Sequence, residues 1–114
     1  MEQTVFLTNI KEEIKSCFAG LNNIRRVILF GSYAYGSPRK DSDLDLVVIL
    51  NQKGFAKSRR ERWNRSIGIS KLLYPLRKQY PIDVLVYTLD EWNKLIELDS
   101  SNIREIKANG IILL

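Results

Sequence analysis

Two aspartates, Asp45 and Asp83, stand where the surrounding sequence opposes a charge, and a third, Asp43, stands two residues before the first of them. Asp43 and Asp45 flank Leu44 at the head of the apolar run Leu44 to Leu50, and Asp83 interrupts Ile82-Asp83-Val84-Leu85-Val86-Tyr87. In an extended chain residues i and i+2 point to the same face with Cα atoms roughly 6 to 7 Å apart, so Asp43 and Asp45 can share a metal ion. Carboxylates this close repel one another, and a divalent cation relieves the cost of burying them. Oxygen-only ligation favours Mg²⁺ or Mn²⁺ over zinc. A charge inside each of two apolar runs breaks the local rules of strand propensity and burial, which is what functional positions tend to do, so one site built from both strands is expected. Three converging carboxylates suit a two-metal arrangement, with ions roughly 3.5 to 4 Å apart serving the attacking and leaving oxygens. Taken alone, Asp43 also reads as a turn or cap residue, a reading that the preceding Asp41-Ser42 supports.

A second element of chemistry is Gly31-Ser32, which follows the apolar run Arg26-Val27-Ile28-Leu29-Phe30. A strand that ends here and opens a helical turn presents free backbone N–H groups and a dipole that attract phosphate. Glycine permits close approach of the backbone, and the serine hydroxyl adds a hydrogen bond. The dipeptide is neither a Walker loop nor a dinucleotide fingerprint, because neither a Gly-Lys-Ser/Thr nor a third spaced glycine follows. The chain contains no histidine, which removes Ser-His-Asp triads, histidine-assisted phosphoryl transfer and every zinc site not dominated by cysteine.

The elements that must carry these residues follow from periodicity. Phe6, Ile10, Ile14, Phe18 and Leu21 lie on one helical stripe ending near Gly20. Arg26 to Phe30, Leu44 to Leu50 and Ile82 to Tyr87 read as strands. One helical turn after Ser32 and a loop through Gly36 and Pro38 separate the first two. Phe55, Trp63, Ile67, Leu72 and Leu73 give a looser helical pattern from about Ala56 to Tyr74, closed by Pro75 or slightly beyond it. Asp90 or Thr88 can cap a helix containing Trp92, Leu95 and Ile96; a last helix spans Asn102 to Ala108, and Ile111 to Leu114 reads as an edge strand. The fold class is therefore α/β or α+β, a sheet covered by helices, and 114 residues suit one domain over 1–114.

Bulk properties narrow the setting. Lys and Arg number 18 against 13 Asp and Glu, a net charge of +5, and the excess falls largely in Lys53, Lys57, Arg59, Arg60, Arg62, Arg65, Lys71, Arg77 and Lys78. That segment is either a solvated helix face or one turned to an acidic partner, nucleic acid or a triphosphate. No apolar run approaches the roughly 20 residues that cross a bilayer, and Met1-Glu2-Gln3-Thr4 lacks the features of a secretory signal; a cytoplasmic location without membrane contact is expected. Cys17, the single cysteine, reads as a structural thiol.

The combination is specific. Gly31-Ser32, the ten residues Tyr33 to Ser42, then Asp43-Leu44-Asp45, with Asp83 on a later strand, closely resemble the signature of the DNA polymerase β-like nucleotidyltransferase superfamily, in particular its minimal nucleotidyltransferase branch. The resemblance runs from about Val27 to Tyr87, and Asn109-Gly110-Ile111-Ile112 is similar to the family's usual end. It implies a polymerase β-like nucleotidyltransferase fold with a mixed β-sheet flanked by helices. It also implies Mg²⁺-dependent transfer of a nucleoside monophosphate from an NTP, with release of pyrophosphate.

By the same resemblance Asp43 and Asp45 bind both Mg²⁺ ions, Asp83 binds one and helps deprotonate the acceptor, and Gly31 and Ser32 hold the β- and γ-phosphates. Arg39 and Lys40 occupy the loop over that site, exposed positions from which triphosphate charge can be neutralised. Larger relatives bind the acceptor with an additional domain, for which 114 residues leave no room, so the acceptor is expected from a partner. Minimal members resemble antitoxins of two-gene systems that transfer AMP from ATP to a tyrosine of a HEPN-type ribonuclease toxin, in a hetero-oligomer with it. The alternatives are a free-standing nucleotidyltransferase acting on a small molecule or RNA end, argued by the basic segment, and a non-catalytic antitoxin acting by contact; direct nucleic-acid binding is otherwise not expected.

Overall fold

In a computed structural model, which describes residues 2–36, 38–39 and 41–114, nine elements follow one another. These are α1 (Glu2–Cys17), β1 (Ile24–Phe30), β2 (Leu44–Leu50), α2 (Arg59–Leu72), α3 (Tyr74–Arg77), β3 (Ile82–Thr88), α4 (Leu89–Leu98), α5 (Ser101–Asn109) and β4 (Ile111–Ile112). The strands form one sheet in the order β3-β2-β1-β4. β1 is antiparallel to both β2 and β4, while β2 and β3 are parallel. The long connection between β2 and β3, which contains α2 and α3, permits that parallel pairing.

Alternation along the strands divides the core in two. Val27, Leu29, Leu44, Leu46, Val48 and Val86 pack on one face with Ile10 and Ile14 of α1, Ile69 of α2 and Leu76 of α3. Ile28, Val47 and Ile49 pack on the other with Trp92 of α4 and Ile103 and Ile106 of α5. The expected sheet between helices is the observed one.

Two boundaries differ from those expected. α1 stops at Cys17, so Phe18 enters the core from a turn and Leu21 is exposed. α2 begins only after Ser58, whose hydroxyl accepts the Glu61 N–H; Phe55 and Trp63 are exposed, Trp63 at 66 %. The helical region closes slightly beyond Pro75, at Arg77, and Pro75 lies in the first turn of α3, where its fixed φ and missing N–H cost nothing. Of the two candidate caps for α4, Thr88 serves, in a reciprocal capping box with Glu91, while Asp90 accepts the Gly54 N–H at 2.6 Å.

Candidate active site

The head of β2 is fixed level with the head of β3. The Leu44 N–H donates to the Pro81 carbonyl at 2.8 Å, and from there the parallel register runs Leu44 to Ile82, then Asp45 to Asp83. The two aspartates are direct neighbours on adjacent strands and share a face of the sheet with Val47 and Ile49. Asp43 lies just before β2 and is exposed, as is Asp83, whereas Asp45 is half-buried. Burial, then the charge of Asp83 and then that of Asp43, hold the Asp45 carboxyl above its ordinary value of 3.8.

Across the other edge of β2, Asp45 pairs with Phe30, the last residue of β1. The chain then turns at Gly31, which has φ +75°. A side chain here would meet two obstacles, since the conformation is left-handed and any Cβ would collide with the Asp45 carboxylate. The Ala34 and Tyr35 N–H groups both donate to the Gly31 carbonyl at 3.0 Å, the single helical turn expected after the glycine. Among the described residues the Ser32 and Tyr33 N–H groups make no backbone hydrogen bond. The turn therefore presents donors beside the Asp45 carboxylate.

Aromatic packing that the sequence reading missed supports this turn. Tyr33 stacks on Phe6 of α1 with ring centroids 5.1 Å apart and meets Tyr80 edge-on at 5.9 Å; Gln3 donates to the Tyr33 carbonyl at 2.9 Å. Tyr80 directly precedes Pro81, so one cluster braces both the turn and the entry to β3. These residues lie far apart in sequence and share no period, so no local signal joins them.

The donor set fits a hard divalent cation. Asp43, Asp45 and Asp83 offer only oxygens, and among the described residues none of them is in an ion pair. Among the same residues no three carboxylates are already drawn together as a metal cage; Asp45 and Asp83 are the adjoining pair, with Asp43 acting on Asp45 through its charge. Arg39 is exposed beside this edge, and its N–H donates to the Ser42 hydroxyl at 2.7 Å. Lys40, expected in the same loop, lies outside the described residues.

The basic segment resolves into two kinds of residue. Arg59, Arg60 and Arg62 are exposed on α2, as a solvated face requires. Arg65 is different: its guanidinium donates to Glu91 at 2.6 Å, with the two side chains 10 % and 6 % exposed. Glu91 also accepts the Ala56 N–H at 2.8 Å and the Thr88 N–H at 2.9 Å. Burial would raise its carboxyl, but the hydrogen bonds and the Arg65 charge prevail and hold it below its ordinary value of 4.5. Cys17 is half-buried against the first core, and burial pushes its thiol up, consistent with a structural role.

A cavity of about 450 Å³ opens between the sheet and α4 and α5, beside the Gly31 turn. Residues 12–104 match the family described as polymerase beta, nucleotidyltransferase. This chain belongs to the polymerase β nucleotidyltransferase family. The fold is found in a nucleotidyltransferase structure from Sulfolobus solfataricus, with 18 % identity over 96 % of this chain and 80 % of that one and a TM-score of 0.58. A crystal structure of a toxin-antitoxin with AMP-PNP is similar at 19 % identity, over 91 % of this chain and 72 % of that one, with a TM-score of 0.55. A mutant MntA-HpeT toxin-antitoxin gives 18 % identity over the same shares and a TM-score of 0.54. No curated protein matches the chain. No helix among the described residues is long and apolar enough to cross a membrane.

Proposed function

We propose that this nucleotidyltransferase moves AMP from ATP to a tyrosine of a partner protein, as the antitoxin of a HEPN-type ribonuclease toxin in the cytoplasm. The observation that carries the transfer chemistry is the register that makes Asp45 and Asp83 neighbours beside the Gly31 turn. The structural likeness to toxin-antitoxin complexes, one of them with AMP-PNP, supports the choice of partner and nucleotide.

Asp43 and Asp45 are the residues that would hold two Mg²⁺ ions, with Asp83 on one of them; bound there, the ions supply charge stabilisation at the attacking and leaving oxygens. The Gly31 and Ser32 backbone and the Ser32 hydroxyl bind the β- and γ-phosphates. Asp83, exposed at the open edge, takes the proton of the acceptor hydroxyl. The acceptor oxygen then bonds to the α-phosphorus as the bond to the bridging oxygen breaks, and pyrophosphate leaves with that electron pair. A partner must fill the open side of Asp83 to align the hydroxyl with the α-phosphate.

Co-expression with a neighbouring helical toxin, followed by mass spectrometry of that toxin, tests this reading. An adenylate on a toxin tyrosine that disappears with Asp43→Asn is the expected result. An unmodified toxin neutralised equally well by the variant means that protection works by contact alone, and the enzymatic reading is then wrong.

A further inference from the structure

α2 and α3 carry an apolar stripe on a side turned away from the core. Trp63, Ile67, Ser70 and Tyr74 follow one another at spacings of four, three and four residues, which sets them along one side of the two consecutive helices. Trp63 is 66 % exposed and Tyr74 61 %, whereas Ile69, Leu73 and Leu76 hold this region to the core. At the Tyr74 end, Ile67, Ser70, Lys71, Tyr74 and Arg77 line a shallow cavity of about 210 Å³. That is below the roughly 300 Å³ at which small-molecule sites begin, and it leaves room for a side chain rather than a free ligand.

The stripe is set in positive charge. Arg59, Arg60, Arg62, Lys71, Arg77 and Lys78 are all exposed, and among the described residues none of them is in an ion pair. The one acid of these two helices is Glu61, and its carboxylate accepts the Lys57 N–H at 3.0 Å. Two of the cations are drawn to the stripe itself. Arg77 donates to the Ser70 hydroxyl, and the Lys78 ammonium lies 5.3 Å from the centre of the Tyr74 ring. Large exposed rings and arginines are the residue types that carry most of the binding energy at protein interfaces.

We infer that this stripe docks an acidic amphipathic helix of a partner protein, which deepens the partner reading above by naming the face that receives it. Charge and geometry select the occupant. Free cations around an apolar line match a helix whose apolar residues, three and four apart, are flanked by Asp and Glu. A second copy of this chain brings like charge to like charge, since each copy carries +5. Single-stranded RNA needs successive free rings on which neighbouring bases stack. Here the Lys78 ammonium lies over the Tyr74 ring, and roughly 13 Å of helix separates Trp63 from the end of α2. The Tyr74 end leads through Tyr80 and Pro81 into β3 and Asp83, so the stripe runs toward the end of the sheet that holds the aspartates.

Three labelled probes test the docking on the full chain: a synthetic helix with leucines along one stripe flanked by glutamates, the same helix with lysines for the glutamates, and a single-stranded RNA. Anisotropy reads the affinity. Iodide quenching reads the place, because the chain has two tryptophans and Trp92 is buried. The expected result is that the glutamate helix alone binds and shields Trp63. Trp63→Ala with Tyr74→Ala, or Arg60→Glu with Lys71→Glu, weakens it by about tenfold or more, while Phe55→Ala, exposed but ahead of α2, leaves it unchanged. Failure of the glutamate helix to bind, equal binding of the lysine helix, tighter binding of the RNA, or unchanged affinity in the double variants overturns the inference. So do an equal loss in Phe55→Ala and a Trp63 already shielded by self-association. A toxin adenylated at the parental rate by Trp63→Ala with Tyr74→Ala, with toxin limiting, overturns the docking and leaves the transfer standing. Peptide binding with the expected pattern in a chain that adenylates nothing upholds the docking surface and removes only the transfer.

Discussion

Gly31 and Asp45 are in contact of a kind that leaves no room for a side chain: the Asp45 carboxylate occupies the position that a Cβ on Gly31 would take. Because the glycine also has φ +75°, the strand ending at Phe30 can turn away beside the carboxylate only with this residue. The turn that presents N–H groups and the acid beside it are thus one construction.

Gly31→Ala should therefore cost more than the roughly 1 to 3 kcal/mol of backbone strain alone, since either the turn or Asp45 must move. Gly20 is the control, with φ +84° and nothing near its missing Cβ. Thermal unfolding should show Gly31→Ala less stable than Gly20→Ala by more than about 1 kcal/mol; equal losses would mean that the contact with Asp45 does not constrain the turn.

Asp45 also sets a pH dependence. Its folded pKa is raised above 3.8 by burial and by the charges of Asp83 and Asp43, so the folded state binds more protons than the unfolded one between the two values. Stability without metal must fall as the pH rises from about 3.8 through that raised value. Asp45→Asn removes this slope, is at least as stable as the parent at neutral pH, and loses nucleotide transfer. Urea titrations in EDTA across this range measure it, and a variant less stable than the parent at neutral pH would contradict the repulsion argument.

The buried pair Arg65 and Glu91 has the opposite sign. Glu91 is held below 4.5 in the fold, so it contributes stability above that value and loses it as the pH falls through the lower, folded pKa. Glu91→Ala leaves Arg65 buried without its partner and removes the acceptor for the Ala56 and Thr88 N–H groups, a loss of roughly 3 to 5 kcal/mol. Denaturant midpoints would reveal it. A cost below about 1 kcal/mol, the value of a surface pair, would show that the network does not tie α2 to α4.

What the sequence makes legible here depends on distance along the chain. The three strands and the glycine turn are local patterns, and each is where it was expected. The pairing of Asp45 with Asp83 required the parallel register, which the Leu44 to Pro81 hydrogen bond fixes and no local pattern encodes. The Phe6, Tyr33 and Tyr80 cluster and the Arg65 to Glu91 pair were invisible for the same reason. Trp63 belongs to the helical pattern of its segment, but spacing alone does not say which face it takes, and α2 turns it outward.

Asp83 provides the sharpest separation of roles. It is exposed on β3, level with Asp45 but one strand further from the Gly31 turn, and the proposed mechanism gives it the acceptor rather than the triphosphate. An amide at this position keeps the shape and removes the charge that, in that mechanism, takes the acceptor's proton. Asp83→Asn should lower the rate of transfer by about 100-fold or more, the usual scale for losing a general base, while nucleotide affinity changes by only a few fold. Single-turnover rates set beside AMP-PNP affinities distinguish the two effects, because an interaction made only in the transition state leaves ground-state binding nearly unchanged. Equal losses in rate and affinity would move Asp83 to the nucleotide and leave the acceptor's proton to another group.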